Sequence, residues 1–181
     1  MDLIYETDRL ILRVLRAADA PAVLDFQLRN KDLFERYEPA RPENFYTIEH
    51  QKVLLNCEYN LTVKLSAVRF YVFLKEQPDT IIGTICFRNM LHAIYSSCEA
   101  GYKFDEQYHR HGYAFEAMLE GIRIIFDELK LHRITANVMP DNHASIRLLE
   151  SLGFEQEGVV RDYARIQNEW ADHIRYSLIH R

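Results

Sequence analysis

The segment QYHRHGYAFE, residues 107–116, is the most informative part of the sequence. It lies between a strand predicted at residues 97–104 and a helix that begins near Gly112, in which small and apolar residues recur every three or four positions. The first-turn N–H groups of a helix have no intrahelical partner and bind anions, and Gly112 has no Cβ to keep an anion from the backbone. The stretch therefore predicts a pyrophosphate cradle. An ordinary strand–loop–helix junction, in which the glycine only shapes the turn, is the alternative.

Two common nucleotide-binding motifs are absent here. No Gly-Lys-Ser/Thr follows the glycine, as a P-loop requires, and only one of the three glycines of a dinucleotide-binding fingerprint is present. Nucleotide hydrolysis and dinucleotide redox chemistry are therefore poorly supported.

Composition limits the class of protein. A chain of 181 residues with 48% hydrophobic residues can bury one core, so we expect a single domain over residues 1–181. A net charge of −5 argues against direct nucleic-acid binding, which needs a basic surface. The cysteines form no C-x-x-C pair, and no apolar run reaches the length of a signal peptide or a membrane span. We expect a cytoplasmic protein without membrane association, either a monomer or a homodimer.

The other segments alternate between strand and helix patterns. Strands are predicted at residues 9–16, 68–75, 81–88, 97–104, 133–138, 154–166 and 173–179. Helices are predicted at residues 17–29, at about 47–61, from 112 onward and at 140–151, with a loop or broken helix at 30–46 and turns at 76–80 and 167–168. Strands in hairpin order, interrupted by two helices, imply an α+β domain with a mixed sheet.

Three segments resemble a known family: HRHGYAFEAM (109–118), RITANVMPDNHASIRLLESLGF (133–154) and EGVVRDY (157–163). Together they resemble the acetyl-CoA-binding core of the GNAT acetyltransferase superfamily. ETDRLILR (6–13) resembles the first strand of its ribosomal-protein (RimJ/RimL-like) branch. The resemblance covers most of the chain. It implies three α/β/α layers, with a mixed, mostly antiparallel central sheet and helices on both faces.

The resemblance also implies a set of residues that bind acetyl-CoA. They are Tyr102, Lys103, Phe104, His109, Arg110, His111, Gly112, Tyr113, Ala114, Asn142 and Ser145. The loop N–H groups would hold the pyrophosphate, the free edge of the preceding strand would pair with pantetheine, and Asn142 resembles the pantetheine-contacting asparagine of an N-x-x-S pattern. His109 replaces the usual arginine or glutamine, and Arg110 stands where many members have glycine. These departures question side-chain contacts more than the backbone cradle.

Acetyl transfer to an amine needs a proton acceptor for the amine and a donor for the CoA thiolate. Glu99 faces opposite to Cys98 and Ala100 on the strand that leads to the cradle, and it is the candidate base; a solvent-facing glutamate is the alternative. The tyrosine that many family members use as the acid would fall at Leu149. Ser145 is therefore the candidate donor to the sulfur, with a helix-end serine as the alternative.

Other residues have simpler explanations. His109 and His111 form an H-x-H pair without a third ligand at suitable spacing, so contact with solvent or phosphate is favoured over a metal site. Tyr163 and Trp170 are either core or acceptor-site aromatics, with the core as the default, and Arg9, Arg13 and Arg16 are expected at a solvated strand edge.

The sequence thus predicts an N-acetyltransferase that uses acetyl-CoA and no metal. Its acceptor is a protein N-terminal α-amine or a small amine, and Glu157 either faces that amine or simply lies in a strand. A CoA-binding or scaffold protein of the same fold, without turnover, is the alternative, because the tyrosine is missing and the cradle is altered.

Overall fold

The computed structural model describes residues 1–181, and its eight strands form one sheet in the order β1-β2-β3-β4-β5-β6-β8-β7. The strands are β1 (Ile4–Glu6), β2 (Leu10–Arg13), β3 (Val68–Leu74), β4 (Gln77–Leu91), β5 (Ser97–Phe104), β6 (Arg133–Val138), β7 (Glu155–Ile166) and β8 (Glu169–Ile179). The helices are α1 (Ala20–Arg29), α2 (Lys31–Glu35), α3 (Ile48–Val63), α4 (Tyr113–Arg123), which continues as a π-helical stretch, and α5 (His143–Ser151). No helix combines the length and apolar character that crossing a bilayer would need.

The sheet has an apolar cluster on each face, because side chains along a strand alternate between faces. The larger cluster includes Val72 of β3 and Met118 of α4, and the smaller one includes Phe73 of β3, Phe26 of α1 and Leu55 of α3. All neighbouring strands are antiparallel except β5 and β6. The predicted architecture is confirmed: helices cover both faces of a mixed, mostly antiparallel sheet.

The parallel pair opens a gap at the centre of the sheet. β5 and β6 pair only from Ser97 with Arg133 to Glu99 with Thr135. Beyond that point β5 stays paired with β4 and β6 with β8, so the two strands diverge. The edge of β5 that faces β6 has no strand partner after Glu99, and this gap positions the candidate site.

Several predicted boundaries are confirmed. β5 and β6 have the predicted bounds, and the turn between β7 and β8 is at residues 167–168. Thr47 caps α3, because its hydroxyl accepts the N–H of His50 at 3.2 Å. Gly153 follows α5 with φ 84°, the left-handed conformation expected of it.

Other predictions are wrong. β1 was missed, because three residues are too few for a periodic pattern. The predicted turn at 76–80 is only Lys75–Glu76, since Gln77 to Thr80 already belong to β4 despite their turn-like composition. Trp170, expected in the core, is 65% exposed on β8.

Candidate active site

A cavity of about 820 Å³ opens at the gap between β5 and β6. Its walls include the loop before α4, the start of α5, the end of β6 and residues 33–38 around α2. Because α4 and α5 pack on one face of the sheet and α1 and α2 on the other, the cavity reaches both faces through the gap. Two reactants can therefore meet in the gap, one from each face.

The loop before α4 has the geometry of an anion cradle. Arg110 and Gly112 adopt left-handed conformations, with φ 65° and 79°. None of the N–H groups from Arg110 to Phe115 donates a hydrogen bond within the protein, and no side chain caps the helix. A row of free N–H groups at the positive end of a helix dipole binds phosphate well. This backbone fits a pyrophosphate.

Arg9 ties the strand β2 to this cradle. Its Nη1 donates to the His111 carbonyl at 3.0 Å, its Nε donates to the Glu116 carboxylate at 2.7 Å, and its guanidinium lies 4.7 Å from the centre of the Tyr113 ring. The C=O and N–H of one planar peptide point in opposite directions. Holding the His111 carbonyl therefore turns the N–H of Gly112 away from Arg9 and leaves it free. Arg9 is solvated as predicted, with 48% of its side chain exposed, but its partners lie more than 100 residues away in sequence.

The two loop histidines are engaged by backbone carbonyls. His109 Nε2 lies 3.0 Å from the Phe104 oxygen, and His111 Nδ1 lies 2.8 Å from the His109 oxygen. The His111 ring also stacks on Tyr113, with 5.5 Å between centroids. Both side chains thus help to fix the loop, and of the two only His109 lines the cavity.

Two hydroxyl groups meet at the start of α5. The Tyr102 hydroxyl lies 2.7 Å from Ser145 Oγ and 3.1 Å from the Ser145 carbonyl oxygen. Asn142 caps the helix, since its Oδ1 accepts the Ser145 N–H at 3.2 Å. Burial raises the pKa of Tyr102, so its hydroxyl stays protonated. Leu149 is fully buried nearby, and these four residues all line the cavity.

Lys103 points to the opposite face from Tyr102. Its Nζ donates to Gln27 at 3.1 Å and to Glu38 at 2.9 Å, and it lies 4.3 Å from the centre of the Phe34 ring. Burial lowers the pKa of Lys103 to about 8, against the opposing effect of Glu38. Its side chain ties β5 to α1 and to the segment after α2, so a cofactor contact from Lys103 rests on its backbone.

Glu99 lies where β5 and β6 diverge. Arg88 Nε donates to its carboxylate at 3.2 Å, Arg88 Nη2 contacts the same oxygen, and the Tyr163 hydroxyl lies 3.3 Å from both oxygens. Its side chain is 13% exposed and does not line the cavity. These contacts hold Glu99 in place, and its role as base stays a prediction.

Glu157, the other carboxylate considered, lies in β7. It pairs with Arg133 and accepts the Ser177 hydroxyl at 2.9 Å. Glu157 was considered either as a residue that faces the acceptor amine or as an ordinary strand residue. These contacts favour the ordinary strand residue.

A polar group beside the gap was missed by sequence analysis. Asn137 on β6 donates to the Tyr163 hydroxyl at 3.0 Å and accepts from Arg175 Nε at 3.1 Å. The Tyr163 ring packs against His173, with 4.9 Å between centroids. Asn137 and His173 both line the cavity. The sequence signal that could have found this group is the alternation of side chains along β8, because it places His173 and Arg175 on the same face of the sheet.

Comparison with known proteins identifies relatives over almost the whole chain. The family described as acetyltransferase (GNAT) domain matches residues 9–155. The ribosomal protein uS5-alanine N-acetyltransferase of Escherichia coli K12 is 33% identical over 172 residues, which cover 95% of this chain and 88% of that protein. The structure of the ribosomal-protein-S5-alanine acetyltransferase from Vibrio fischeri has a TM-score of 0.92 at 31% identity, covering 98% and 97% of the two chains. Mycobacterium smegmatis RimJ in complex with CoA-disulfide has the same fold, with a TM-score of 0.90 at 23% identity and coverage of 98% and 87%.

Proposed function

The chain belongs to the GNAT acetyltransferase family, and on that premise we propose that it acetylates the α-amine at the N-terminus of a protein. It is an N-acetyltransferase that uses acetyl-CoA. What carries the proposal is the cavity at the gap, because its lining comes from both faces of the sheet, so that acetyl-CoA and an acceptor can approach from opposite faces. The names of the Escherichia coli and Vibrio fischeri relatives, which refer to an alanine of a ribosomal protein, favour the same acceptor class.

The residues on the α4 and α5 face of the gap fit acetyl-CoA. The free N–H groups from Arg110 to Phe115 would hold the pyrophosphate, and Gly112 keeps that surface free of a Cβ. The unpaired edge of β5 offers backbone groups to the pantetheine amides, as a sheet edge does to an added strand. Asn142 Oδ1 is used by the helix cap, so its Nδ2 is the group left for the cofactor.

The proton donor lies on this same face. Acetyl-CoA supplies a thioester that is already activated toward a free amine. The Tyr102 hydroxyl can donate to Ser145 Oγ, which leaves the serine proton free for the departing sulfur. We assign Ser145 as the donor and Tyr102 as the residue that positions it.

The acceptor half of the cavity lies on the other face. Residues 33–38 form one wall of it. The turn between β7 and β8 reaches the same segment, where Gln167 Nε2 donates to the Glu35 carbonyl at 2.5 Å. The turn thus holds in place the wall along which we propose that the extended end of a polypeptide lies.

Matched peptides test the proposed acceptor. One peptide has a free N-terminal alanine and an internal lysine, a second has the same sequence with a blocked N-terminus, and a polyamine serves as the small amine. We expect CoA release with the first peptide alone and the acetyl group on its α-amine by mass spectrometry. Turnover of the polyamine only, or of the lysine in the blocked peptide, would contradict the proposal.

A further inference from the structure

We infer that His173 is the proton acceptor for the attacking amine, on the α1 and α2 face of the gap. This inference rests on acetyl transfer to an amine and not on which amine is used. His173 is only 6% exposed, it lines the cavity, and the function proposed above gives it no role.

The hydrogen bonds of His173 define its free nitrogen. Nδ1 lies 3.1 Å from the Ala171 carbonyl oxygen. A carbonyl only accepts, so Nδ1 carries the proton, and a neutral imidazole then has a lone pair at Nε2. Nε2 has no partner within the protein, and it is not among the atoms sealed from solvent. The chain therefore presents an unused proton acceptor at the cavity.

The strand register gives the face on which His173 lies. Asn137 pairs with Arg175 between β6 and β8, and the hydrogen bond between their side chains shows that both point to the same face. His173 is two residues from Arg175 and shares that face. Tyr163 links it to Glu99, which lies on the Lys103 side of β5, where α1 and α2 pack.

The donor and the acceptor of protons thus lie on opposite faces of the gap. Ser145 and the cradle occupy the α4 and α5 face, and His173 occupies the face from which the amine arrives. His173 Nε2 takes one proton from the ammonium group of the arriving amine and later releases it to solvent. The free nitrogen then bonds the acetyl carbon, the C–S bond breaks, and Ser145 gives its hydroxyl proton to the sulfur. The second proton that the nitrogen loses restores the serine hydroxyl through solvent.

The surroundings favour His173 over Glu99 for this step. Glu99 is held by Arg88 and Tyr163 and does not line the cavity, whereas His173 Nε2 is free. The charged and titratable groups around His173 are Tyr163 on β7 with Glu99 of β5 behind it, Asp172 and Arg175 on its own strand, and Glu38 with Lys103 across the cavity.

His173→Asn tests the inference, because the asparagine Nδ2 can still donate to the Ala171 carbonyl while no atom replaces Nε2. We expect kcat near neutral pH to fall about 100-fold, as removal of a general base does. The Kd for acetyl-CoA should stay within about twofold of wild type, a change under about 0.5 kcal/mol. At about pH 9.5 more amine arrives unprotonated, so the loss should shrink to below about tenfold.

Glu157→Gln, at a strand carboxylate outside the cavity, is the matched control and should stay within about threefold of wild type at both pH values, and Glu99→Gln is measured beside it as the rival base. The inference is overturned if His173→Asn keeps near-wild-type kcat, if its loss is the same at both pH values, or if Glu99→Gln shows the larger, pH-dependent loss. If His173→Asn no longer binds acetyl-CoA, the longer His173→Gln takes its place. The assay uses whichever amine the wild type acetylates, so a wrong acceptor is recognised from the wild type alone.

Discussion

Replacement of Arg9 by methionine should weaken acetyl-CoA binding although Arg9 lies outside the α4 loop. The substitution removes the donor to the His111 carbonyl, the ion pair with Glu116 and the cation over the Tyr113 ring. Methionine keeps an unbranched apolar stem of similar reach, so packing along the stem is largely retained. The lost function is the anchor that keeps the N–H of Gly112 free for the pyrophosphate.

The magnitude follows from the exposure of Arg9. A hydrogen bond to a charged group contributes about 1.5–3 kcal/mol when well shielded, and an exposed ion pair about 0–1 kcal/mol. The Arg9 side chain is 48% exposed, so solvent screening brings the hydrogen bond somewhat below its lower value and the ion pair close to zero. We expect about 1–1.4 kcal/mol less favourable binding, which is a five- to tenfold rise in Kd, because the cofactor must then order a looser loop.

Calorimetric titration with acetyl-CoA measures this change, with Arg13→Met as the matched control. Arg13 is the last residue of β2, the strand that begins directly after Arg9, but it donates to the Pro78 carbonyl at 2.8 Å and stacks on Phe73, so it does not touch the cradle. Its Kd should stay within about twofold of wild type. A second ligand, acetyl-pantetheine, lacks the pyrophosphate and should bind Arg9→Met as well as it binds the wild type.

Two results would contradict this role of Arg9. Equal Kd values for Arg9→Met and Arg13→Met would mean that the anchor does not prepare the cradle. A similar loss of acetyl-pantetheine affinity would place the effect of Arg9 outside the pyrophosphate site.

Three further predictions concern the donor pair, a buried lysine and the strand packing. Tyr102→Phe removes the hydroxyl beside Ser145 and should lower kcat roughly tenfold without changing the affinity for acetyl-CoA. The kcat of Ser145→Ala should be at least as low as that of Tyr102→Phe. Steady-state kinetics measure both variants, and a wild-type kcat in both would contradict the assignment of the donor pair. Lys103 has a folded-state pKa of about 8, below its usual value, so above that pH the unfolded chain binds more protons than the folded one. Urea melts should therefore show the free energy of unfolding of the wild type rising relative to that of Lys103→Met between about pH 8 and 10.5. If the wild type instead loses stability relative to the variant over this range, the burial of the ammonium group is contradicted. A Cβ at Gly83 would overlap the buried Phe104 ring, so Gly83→Ala should cost about 1–3 kcal/mol and lower Tm by roughly 2–12 °C in a thermal melt. An unchanged Tm would show that the ring can move.

The fold was predictable where local signals were strong. β5 and β6 have the bounds that their alternation gave, and α3 begins where Thr47 can accept the His50 N–H. The start of β4 was not predictable, because its first residues have the composition of a turn but belong to the strand. The pairing of β3 with β4 has a bulge near Phe73. Composition indicates a turn, and pairing with a neighbour decides where it begins.

The junction of loop and helix at Gly112 was predictable for the same reason as α3. Its signal is a glycine followed directly by a helical pattern, and α4 begins at Tyr113; that this loop binds a pyrophosphate stays a prediction. The side chains around it were not predictable. His109 and His111 suggested a phosphate or solvent contact, but carbonyl groups of the chain itself engage both rings.

The divergence of β5 and β6 explains why the most informative residues could not be predicted from the sequence. Thr135 Oγ1 donates to the Cys98 carbonyl at 3.2 Å, at the last point where the two strands are paired. Beyond this point, the Asn137 side chain of β6 donates a hydrogen bond to the Tyr163 hydroxyl of β7. His173 acquires its place at the cavity only once these strands, distant in sequence, lie side by side. A strand histidine read alone is an ordinary residue, and it becomes a candidate base because the sheet opens beside it.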